Sequence, residues 1–236
     1  MKPTVVLLDI EGTTTPVSFV HDVLFPYARK ALPDLIVRRA SEPAVAEALE
    51  ETRRLAPDME PLARLNAWMK EDAKVAPLKA LQGLAWAEGY ADGELVATLY
   101  PDVLPALRAW RQAGVKLAVY SSGSVAAQKL IYGHTAEGDA TALFDAFLDL
   151  AMGGKKDAAS YAKIAETEGW VPGDVLFVSD VVAELDAARG AGMKTCHMVR
   201  AQDGTVAGDA HPVAHDMPEV GVLFGLPGDD VTADAP

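Results

Sequence analysis

Two carboxylates stand where the first apolar run of the chain ends. The stretch "VVLLDIEGTTTP" (5–16) runs from four apolar residues into Asp9, and Glu11 follows two positions later. A carboxylate can attack phosphorus and form an aspartyl phosphate. A second acid close by can protonate the leaving oxygen and later deprotonate a water molecule. The glycine and threonines that follow predict a turn through which the backbone folds over a metal ion and a phosphate.

Further polar candidates follow later apolar runs of the chain. Ser121, Ser122 and Gly123 come after "VKLAVY", where a hydroxyl and backbone amides at the start of a predicted helix favour the binding of an anion. Lys155 and Lys156 in "GGKK" offer a positive charge that would shield an attacking carboxylate from an anionic phosphate.

Ser179, Asp180 and Glu184 end this series after the apolar run "VLFV". Asp9 and Asp180 together would offer the carboxylate oxygens that a hard divalent cation such as Mg²⁺ prefers. Taken singly, each candidate has an ordinary interpretation as a turn residue, a helix cap, a loop or a solvated charge. Their occurrence in order after successive apolar runs favours one shared site.

The pattern of apolar residues predicts the elements that would hold these side chains. Residues 17–98 show helical spacing without a strand signal, so we predict an all-helical insert. Elsewhere helices alternate with strands, which predicts crossover connections and a parallel α/β sheet. In such a sheet, sites form beyond the carboxyl ends of the strands. The predicted strands are 4–8, 115–122, 144–150, 174–180 and 194–199.

Single residues predict some helix boundaries. Ser41 is a candidate N-cap, Asp157 is another, and Gly114 is a natural residue to follow a helix end. Pro26 is expected to end or kink the first helix of the insert. From about residue 201 the alternating rhythm is lost, and the acidic last ten residues or so are predicted to be disordered.

Composition limits the classes of partner. The chain has 236 residues and a formal net charge of −13, which argues against nucleic acid or an anionic membrane as a partner. The single cysteine, Cys196, cannot form an intrachain disulfide, and its apolar neighbours predict a buried structural thiol. Asp9 and Glu11 interrupt any signal-peptide core, and no run approaches the ~18 apolar residues of a membrane span. We therefore expect a soluble cytoplasmic protein.

The motifs "DIE", "YSS", the lysine of "GGKK" and "SDVVAE" resemble those of the haloacid dehalogenase superfamily of phosphohydrolases. Longer stretches are similar to the enolase-phosphatase family of methionine salvage, among them "LLDIEGTTTPVSFVHDVLFPYA", "VYSSGSVAAQKLIYGH" and "GGKKDAASY". The similarity spans most of residues 4–200. Glu11 stands where the wider superfamily usually carries aspartate, and this departure is itself part of the enolase-phosphatase pattern.

The resemblance implies a Rossmann-like, three-layer α/β core with a parallel sheet and an inserted all-helical cap. The phosphohydrolase core would comprise residues 1–15 and 99–200. The cap would comprise residues 16–98 and would close over the substrate. Residues 201–236 would form a C-terminal segment.

The resemblance also implies a metal and nucleophile site. Asp9 would be the nucleophile and a ligand of a single Mg²⁺ ion. Glu11 would contribute to the metal site through its main-chain carbonyl, with its side chain as the acid/base candidate. Asp180 would complete the metal shell, and Glu184 behind it would be a further metal-binding residue.

Four residues would bind the substrate phosphate: Ser121, Ser122, Gly123 and Lys155, the last of which would also take part in catalysis. The family's substrate is 2,3-diketo-5-methylthiopentyl 1-phosphate, which is enolised and then loses phosphate to give the acireductone 1,2-dihydroxy-3-keto-5-methylthiopentene. Glu11, His21 and another cap residue are all open candidates for the base that removes the carbon-bound proton. The resemblance leads us to expect a monomer with a small-molecule substrate.

Three other functions are open on the residues alone. A capped phosphatase of the same superfamily acting on a different small phosphate ester would keep the same polar groups, so only the cap discriminates. A signalling receiver domain would also use an aspartate, a hydroxyl, a lysine and Mg²⁺. A receiver, however, would carry its acceptor on the third strand and would have no helical cap. A catalytically inactive binding module would not need the complete set of polar groups that this chain carries.

Overall fold

A computed structural model describes residues 2–71 and 73–227 of the chain. The described residues form two compact units, one within Met1–Val17 and Ala97–Pro236 and the other within Ser18–Val96. Residues 228–236, which carry nearly all of the acidic end predicted to be disordered, lie outside the described residues.

The first unit is built on a six-stranded sheet in which each pair of neighbouring strands is parallel. The five strands predicted from the sequence are confirmed, and a sixth lies in the C-terminal segment where no regular rhythm was expected. The strands are β1 Val5–Leu8, β2 Lys116–Tyr120, β3 Ala146–Leu148, β4 Val175–Ser179, β5 Lys194–Met198 and β6 Val213–Ala214. Their order is β3-β2-β1-β4-β5-β6. The central strand, β1, is therefore buried along its whole length.

The second unit contains a π-helical segment, Phe19–Leu24, and four α-helices, with no strand among its described residues. Its core is a leucine-rich cluster that also takes in Trp68 and Trp86, and the Trp86 indole donates to the Leu24 carbonyl at 2.9 Å. The helices are α1 Phe25–Arg38, α2 Pro43–Leu55, α3 Pro61–Lys70 and α4 Ala76–Ala91.

A proline lies in the first turn of each of the four α-helices of this unit. Pro26 lies in the first turn of α1, directly after the π-helical segment, and because proline has no N–H it interrupts the helical hydrogen-bond ladder where the chain changes from π-helix to α-helix. The predicted N-cap at Ser41 is wrong. Because Pro43 begins α2, the capping position falls on Glu42, which makes no side-chain capping bond.

Helices cover both faces of the sheet in the first unit. Leu7, Tyr120 and Phe177 point to the face on which α7 and α8 pack. Side chains alternate along a strand, so the fully buried Val6 and Leu8 belong to the opposite face. This is the predicted three-layer α/β architecture. The helices are α5 Val103–Gln112, α6 Val125–Gly133, α7 Ala158–Glu168, α8 Val182–Gly190 and α9 Met217–Phe224.

Several local predictions for this unit are confirmed. Asp157 caps α7, and its side chain accepts a hydrogen bond from the Ala159 amide at 3.0 Å. Gly114 follows the end of α5 with a φ of 81°. Cys196 is fully buried in β5, and this burial raises the pKa of its thiol to about 12. Within the described part of the chain, none of the helices combines the length and the apolar character needed to cross a bilayer.

Candidate active site

Asp9 lies at the carboxyl end of β1, with its backbone still held by the sheet. Its amide donates to the Val178 carbonyl of β4 at 3.0 Å, and the residue is 5% exposed. One carboxylate oxygen, Oδ1, accepts a hydrogen bond from the Ile10 amide at 2.8 Å. The polypeptide therefore fixes both the main chain and the side chain of the predicted nucleophile.

The Lys155 ammonium lies between two carboxylates. Its Nζ is 2.6 Å from Asp9 Oδ1 and 2.7 Å from Glu184 Oε2, and its side chain is 8% exposed. Burial alone would lower the pKa of this ammonium, but the charges of Asp9 and Glu184 outweigh burial and raise the pKa. Lys155 is therefore charged at neutral pH. Its neighbour Lys156, the other candidate in the sequence, is exposed.

Tyrosines from the sheet and from α7 hold the lysine loop in place. The Tyr120 hydroxyl at the end of β2 donates to the Gly153 carbonyl at 2.9 Å. The buried Tyr161 hydroxyl donates to the carbonyl of Lys155 itself at 2.8 Å. These bonds fix the backbone from which the Lys155 side chain reaches Asp9.

Ser179 connects the two carboxylates from the end of β4. Its fully buried hydroxyl lies 3.2 Å from Asp9 Oδ2 and 3.2 Å from Glu184 Oε2, and the hydroxyl oxygen accepts from the Val181 amide at 3.1 Å. In the sequence, Ser179 is one of the polar residues that follow an apolar run, and no role was predicted for it. The only signal was its place directly before Asp180.

The carboxyl group of Asp180 is unusually hard to ionise. Its Oδ1 is buried and has no hydrogen-bond partner among the residues the structure describes. Burial, and then the negative charge of Asp9, raise the pKa of Asp180 to about 7. The pKa of Glu184 is also raised, first by burial and then by Asp9, with Lys155 acting in the opposite direction. Two acids that follow β1 and β4, Asp9 and Asp180, thus influence one another, and a third, Glu184 in the first turn of α8, shares the Lys155 ammonium with Asp9.

The turn after Asp9 is a tight backbone structure that packs on Asp180. The Ile10 carbonyl accepts hydrogen bonds from the three threonine amides that follow, at 2.8–3.1 Å. Gly12 has a φ of 72°, and a Cβ at this position would lie 2.5 Å from Asp180 Oδ2. Glycine is therefore required on both conformational and steric grounds. Glu11 lies on this turn and is half-buried.

The middle threonine ties the turn to α6. The Thr14 hydroxyl donates to the Asp9 carbonyl at 3.2 Å and lies 2.8 Å from the hydroxyl of Tyr132, which is fully buried. The threonines were predicted only to form a polar turn, and Tyr132 was not predicted to contact them. No sequence signal links these residues, because 118 positions separate them.

The predicted phosphate-binding residues follow β2, the strand beside β1. Leu8 of β1 pairs with Val119 of β2, so Ser121 begins a loop at the same sheet edge as Asp9. Ser121 is buried, and its hydroxyl oxygen accepts from the Gly123 amide at 3.2 Å. Ser122, between them, is half-buried. The register places this loop beside the acids, on the neighbouring strand.

Gln128 of α6 supports this loop. Its side-chain nitrogen donates to the Gly123 carbonyl and to the Leu148 carbonyl at the end of β3, each at 2.8 Å. Ser124 caps α6. Gln128 was not identified from the sequence, where it is simply one polar residue of a helix.

The carboxylate oxygens at this sheet edge could bind a hard cation only together with other ligands, such as main-chain carbonyls and water. Among the described residues, no three His, Cys, Asp or Glu side chains are arranged to hold a metal ion. Lys155 lies between the carboxylates of Asp9 and Glu184. Asp9 and Asp180 do fit as two ligands, because the buried Oδ1 of Asp180 otherwise lacks a partner among the described residues. Main-chain carbonyls and water would have to complete such a shell for Mg²⁺, which usually retains several waters.

Comparisons with known proteins agree on one family. The model of the haloacid dehalogenase-like hydrolases matches residues 3–192. A protein named "Enolase-phosphatase E1" from Gluconacetobacter diazotrophicus is 62% identical over 222 residues, or 94% of each chain. A protein of the same name from Gluconobacter oxydans is 56% identical over 222 residues, 94% of this chain and 97% of the relative. The crystal structure of the UTR4 protein from Saccharomyces cerevisiae is similar with a TM-score of 0.76 and 33% identity, over 91% of this chain and 98% of that one.

Proposed function

The chain belongs to the haloacid dehalogenase-like hydrolases and, among them, to the enolase-phosphatases, and we propose that Asp9 carries its phosphatase step. Its function is that of an enolase-phosphatase of methionine salvage. It enolises 2,3-diketo-5-methylthiopentyl 1-phosphate and then hydrolyses the phosphate ester, which yields the acireductone. The observation that carries the assignment of Asp9 is its 2.6 Å contact with the buried Lys155 at the end of the central strand.

In the first phosphatase step, an Asp9 carboxylate oxygen attacks the phosphorus atom of the enol phosphate. The bond from phosphorus to the ester oxygen breaks, and the Glu11 carboxyl protonates that leaving oxygen. Lys155 offsets the negative charge of Asp9 and is available to a phosphate oxygen. Its raised pKa supports this role, because the ammonium keeps its charge through the reaction.

In the second step, water attacks the phosphorus atom of the aspartyl phosphate. Glu11 now accepts a proton from that water, the bond from phosphorus to the Asp9 oxygen breaks, and inorganic phosphate leaves. Asp9 and Glu11 return to their starting states. Ser121, Ser122 and Gly123 hold the phosphate during both steps in this proposal, supported by the hydrogen bond that preorganises their loop.

Asp9 and Asp180 would hold Mg²⁺ in the proposed site, with the Glu11 main-chain carbonyl as a further ligand and Glu184 behind Asp180. When bound, the ion would supply positive charge that polarises oxygen and stabilises an enolate. The crowding of acids supports this assignment: burial, and then repulsion from Asp9, raise the pKa of Asp180, and a cation would relieve the repulsion.

We assign residues 16–98 the role of a cap over the substrate. A closed cap would exclude water until phosphoryl transfer is complete. The separate compact unit formed by Ser18–Val96 supports this assignment.

We further propose a monomer that acts in the cytoplasm. Light scattering on the purified protein should give the mass of one chain, and a doubled mass would contradict the monomer.

NMR of the diketo phosphate with enzyme and Mg²⁺ tests the function. We expect the enol phosphate first, followed by inorganic phosphate and the acireductone, over many turnovers. An inert diketo phosphate together with rapid hydrolysis of other esters would assign the chain to a different capped phosphatase. A single modification of the protein without sustained phosphate release would indicate a receiver.

Asp9→Asn tests the covalent step. The amide is nearly isosteric with the carboxylate but is a poor nucleophile, so phosphate release should fall by roughly a thousandfold or more while the enol phosphate still forms. Asp34→Asn is the matched control, because its side chain is 71% exposed in the other unit. Near-normal phosphate release by folded Asp9→Asn would contradict the proposal.

A further inference from the structure

A buried arginine outside the predicted site contacts the turn that follows the nucleophile. Arg200 comes shortly after β5 and is 4% exposed. Its Nε and Nη2 donate to the Thr13 carbonyl at 3.2 and 3.0 Å. Neither the motifs nor the phosphatase steps above assign it a role.

The other bonds of Arg200 fix the plane of its guanidinium group. Nη1 and Nη2 each lie 2.9 Å from a different oxygen of Asp102, which is a two-pronged ion pair. Nη1 also donates to the His215 carbonyl at 3.1 Å. The guanidinium stacks over the Tyr100 ring, 4.0 Å from its centroid. All three guanidinium nitrogens therefore have acceptors, and the group has one well-defined orientation.

A second connection joins the same turn to the chain after Arg200. The Tyr100 amide donates to the Thr14 carbonyl at 3.0 Å, and the Tyr100 hydroxyl donates to the carboxylate of Asp203. Asp203 also accepts from the Val17 amide at 3.2 Å. The threonine turn is thus held by residues before α5 and after β5.

We propose that Arg200 is a positioning residue for phosphoryl transfer, acting through the Thr13 carbonyl on the turn that carries Glu11. The inference rests on the proposed function, because it assigns Glu11 the proton transfers. The turn has little room to adapt, since Gly12 packs directly against Asp180. Movement at Thr13 would therefore shift Glu11 relative to Asp9. A misplacement of about 1 Å at a reacting group can lower a rate by about a hundredfold.

Arg200→Lys is the discriminating substitution. Lysine keeps the positive charge but has a single ammonium, which cannot make the two-pronged pair with Asp102 and two bonds to the Thr13 carbonyl. Arg189→Lys is the matched control. Arg189 likewise binds a carbonyl, that of Ala210 at 2.8 Å, and a carboxylate, that of Asp186, but its side chain is 53% exposed on α8.

The assay compares kcat, KM and inhibition by inorganic phosphate, together with hydrogen exchange of the backbone amides. In Arg200→Lys, kcat should fall at least about tenfold, while KM and the phosphate inhibition constant change by less than about threefold. The turn amides of residues 13–15 should exchange faster, whereas the amides of β1 and β4 keep their protection. Arg189→Lys should match the wild type in every measurement.

An unchanged kcat in folded Arg200→Lys would overturn the inference. A loss of protection spread over the whole sheet would also overturn it, because Arg200 would then be merely structural. Should Arg200→Lys fail to fold, Asp102→Asn removes the same ion pair isosterically and should give the same split between kcat and KM.

Hydrolysis of p-nitrophenyl phosphate is measured in parallel. If the wild type hydrolyses this ester but not the diketo phosphate, the proposed function fails, whereas the effect of Arg200 can still be read.

Discussion

Replacing Asp180 by asparagine should stabilise the metal-free protein at pH 8. The Asp180 carboxylate lies beside Asp9, and its buried Oδ1 has no hydrogen-bond partner among the described residues. Burial, followed by the charge of Asp9, raises its pKa from 3.8 to about 7. Asparagine occupies nearly the same volume but never carries the charge. The variant should therefore escape the cost of ionising this position.

The sign and size of the effect follow from the shift in pKa. Between about pH 4 and pH 7 the folded protein keeps the Asp180 proton, whereas the unfolded chain has lost it. The stabilising contribution is therefore complete below about pH 4 and is lost as the pH rises through about 7. A shift of about three pKa units corresponds to about 4 kcal/mol. Partial exposure of Asp180 reduces this figure through solvent screening, so we expect about 2 kcal/mol.

Urea denaturation in the presence of EDTA measures the free energy of unfolding of both proteins at each pH. From pH 4 to pH 8, wild type should lose about 2 kcal/mol more unfolding free energy than Asp180→Asn. Comparing the two proteins cancels the contributions of the acids that do not interact with Asp180. Asp34→Asn, at an exposed position in the other unit, should follow the wild-type curve.

Added Mg²⁺ should reverse the order of stability. A ligand at a hundred times its dissociation constant stabilises a protein by about 2.7 kcal/mol, and wild type should gain more from Mg²⁺ than the variant does. If Asp180→Asn is the less stable protein at pH 8 in EDTA, the electrostatic reasoning is wrong. Equal Mg²⁺ stabilisation of both proteins would remove Asp180 from the proposed metal ligands. The acid would then carry a cost in stability without a function that explains it.

Other substitutions probe the same cluster and the sheet beneath it. Lys155→Met leaves two buried carboxylates without their cation, so urea denaturation at pH 7 should show that the free energy of unfolding falls by about 3–5 kcal/mol. Lys156 is exposed, so Lys156→Met should lower the free energy of unfolding by less than about 0.5 kcal/mol. Gly12→Ala should abolish phosphate release in a folded protein, because the new Cβ would meet the Asp180 carboxylate; activity within a few fold of wild type would show that the turn can shift. Cys196 should resist a thiol reagent at pH 8 until urea unfolds the protein, because burial raises its pKa to about 12; rapid labelling of native protein would contradict this.

The architecture of the core was accessible from the sequence because its signals are local. An apolar run of four or five residues such as Val5–Leu8 indicates a buried strand from its own residues, without reference to distant parts of the chain. Asp157 and Gly114 act on the helix beside them, so their effects could also be predicted. The exception among the caps, Ser41, was misjudged because Pro43 determines where α2 begins. The two-residue strand Val213–Ala214 is too short to carry an apolar pattern of its own.

The residue types and order of the candidate site were also predicted from the sequence. The carboxyl ends of parallel strands share one edge, so acids, hydroxyls and a lysine that follow successive strands are expected to converge there. Asp9, Lys155 and Glu184 do lie in direct contact. The family resemblance named Lys155 as the functional lysine of the pair, and the fold gives the physical difference: Lys155 is buried and Lys156 is exposed.

By itself, then, the sequence determined the parallel sheet, the helical insert and the chemical groups at the sheet edge, since each depends on residues close together in the chain. Only the tertiary structure decided how those groups are held and charged. Ser179 joins Asp9 across 170 positions, and Arg200 reaches the Thr13 carbonyl across 187. The raised pKa of Asp180 likewise requires burial beside another acid. Hydrogen bonding and desolvation depend on distance in space, which a linear order of residues does not contain until the chain has folded.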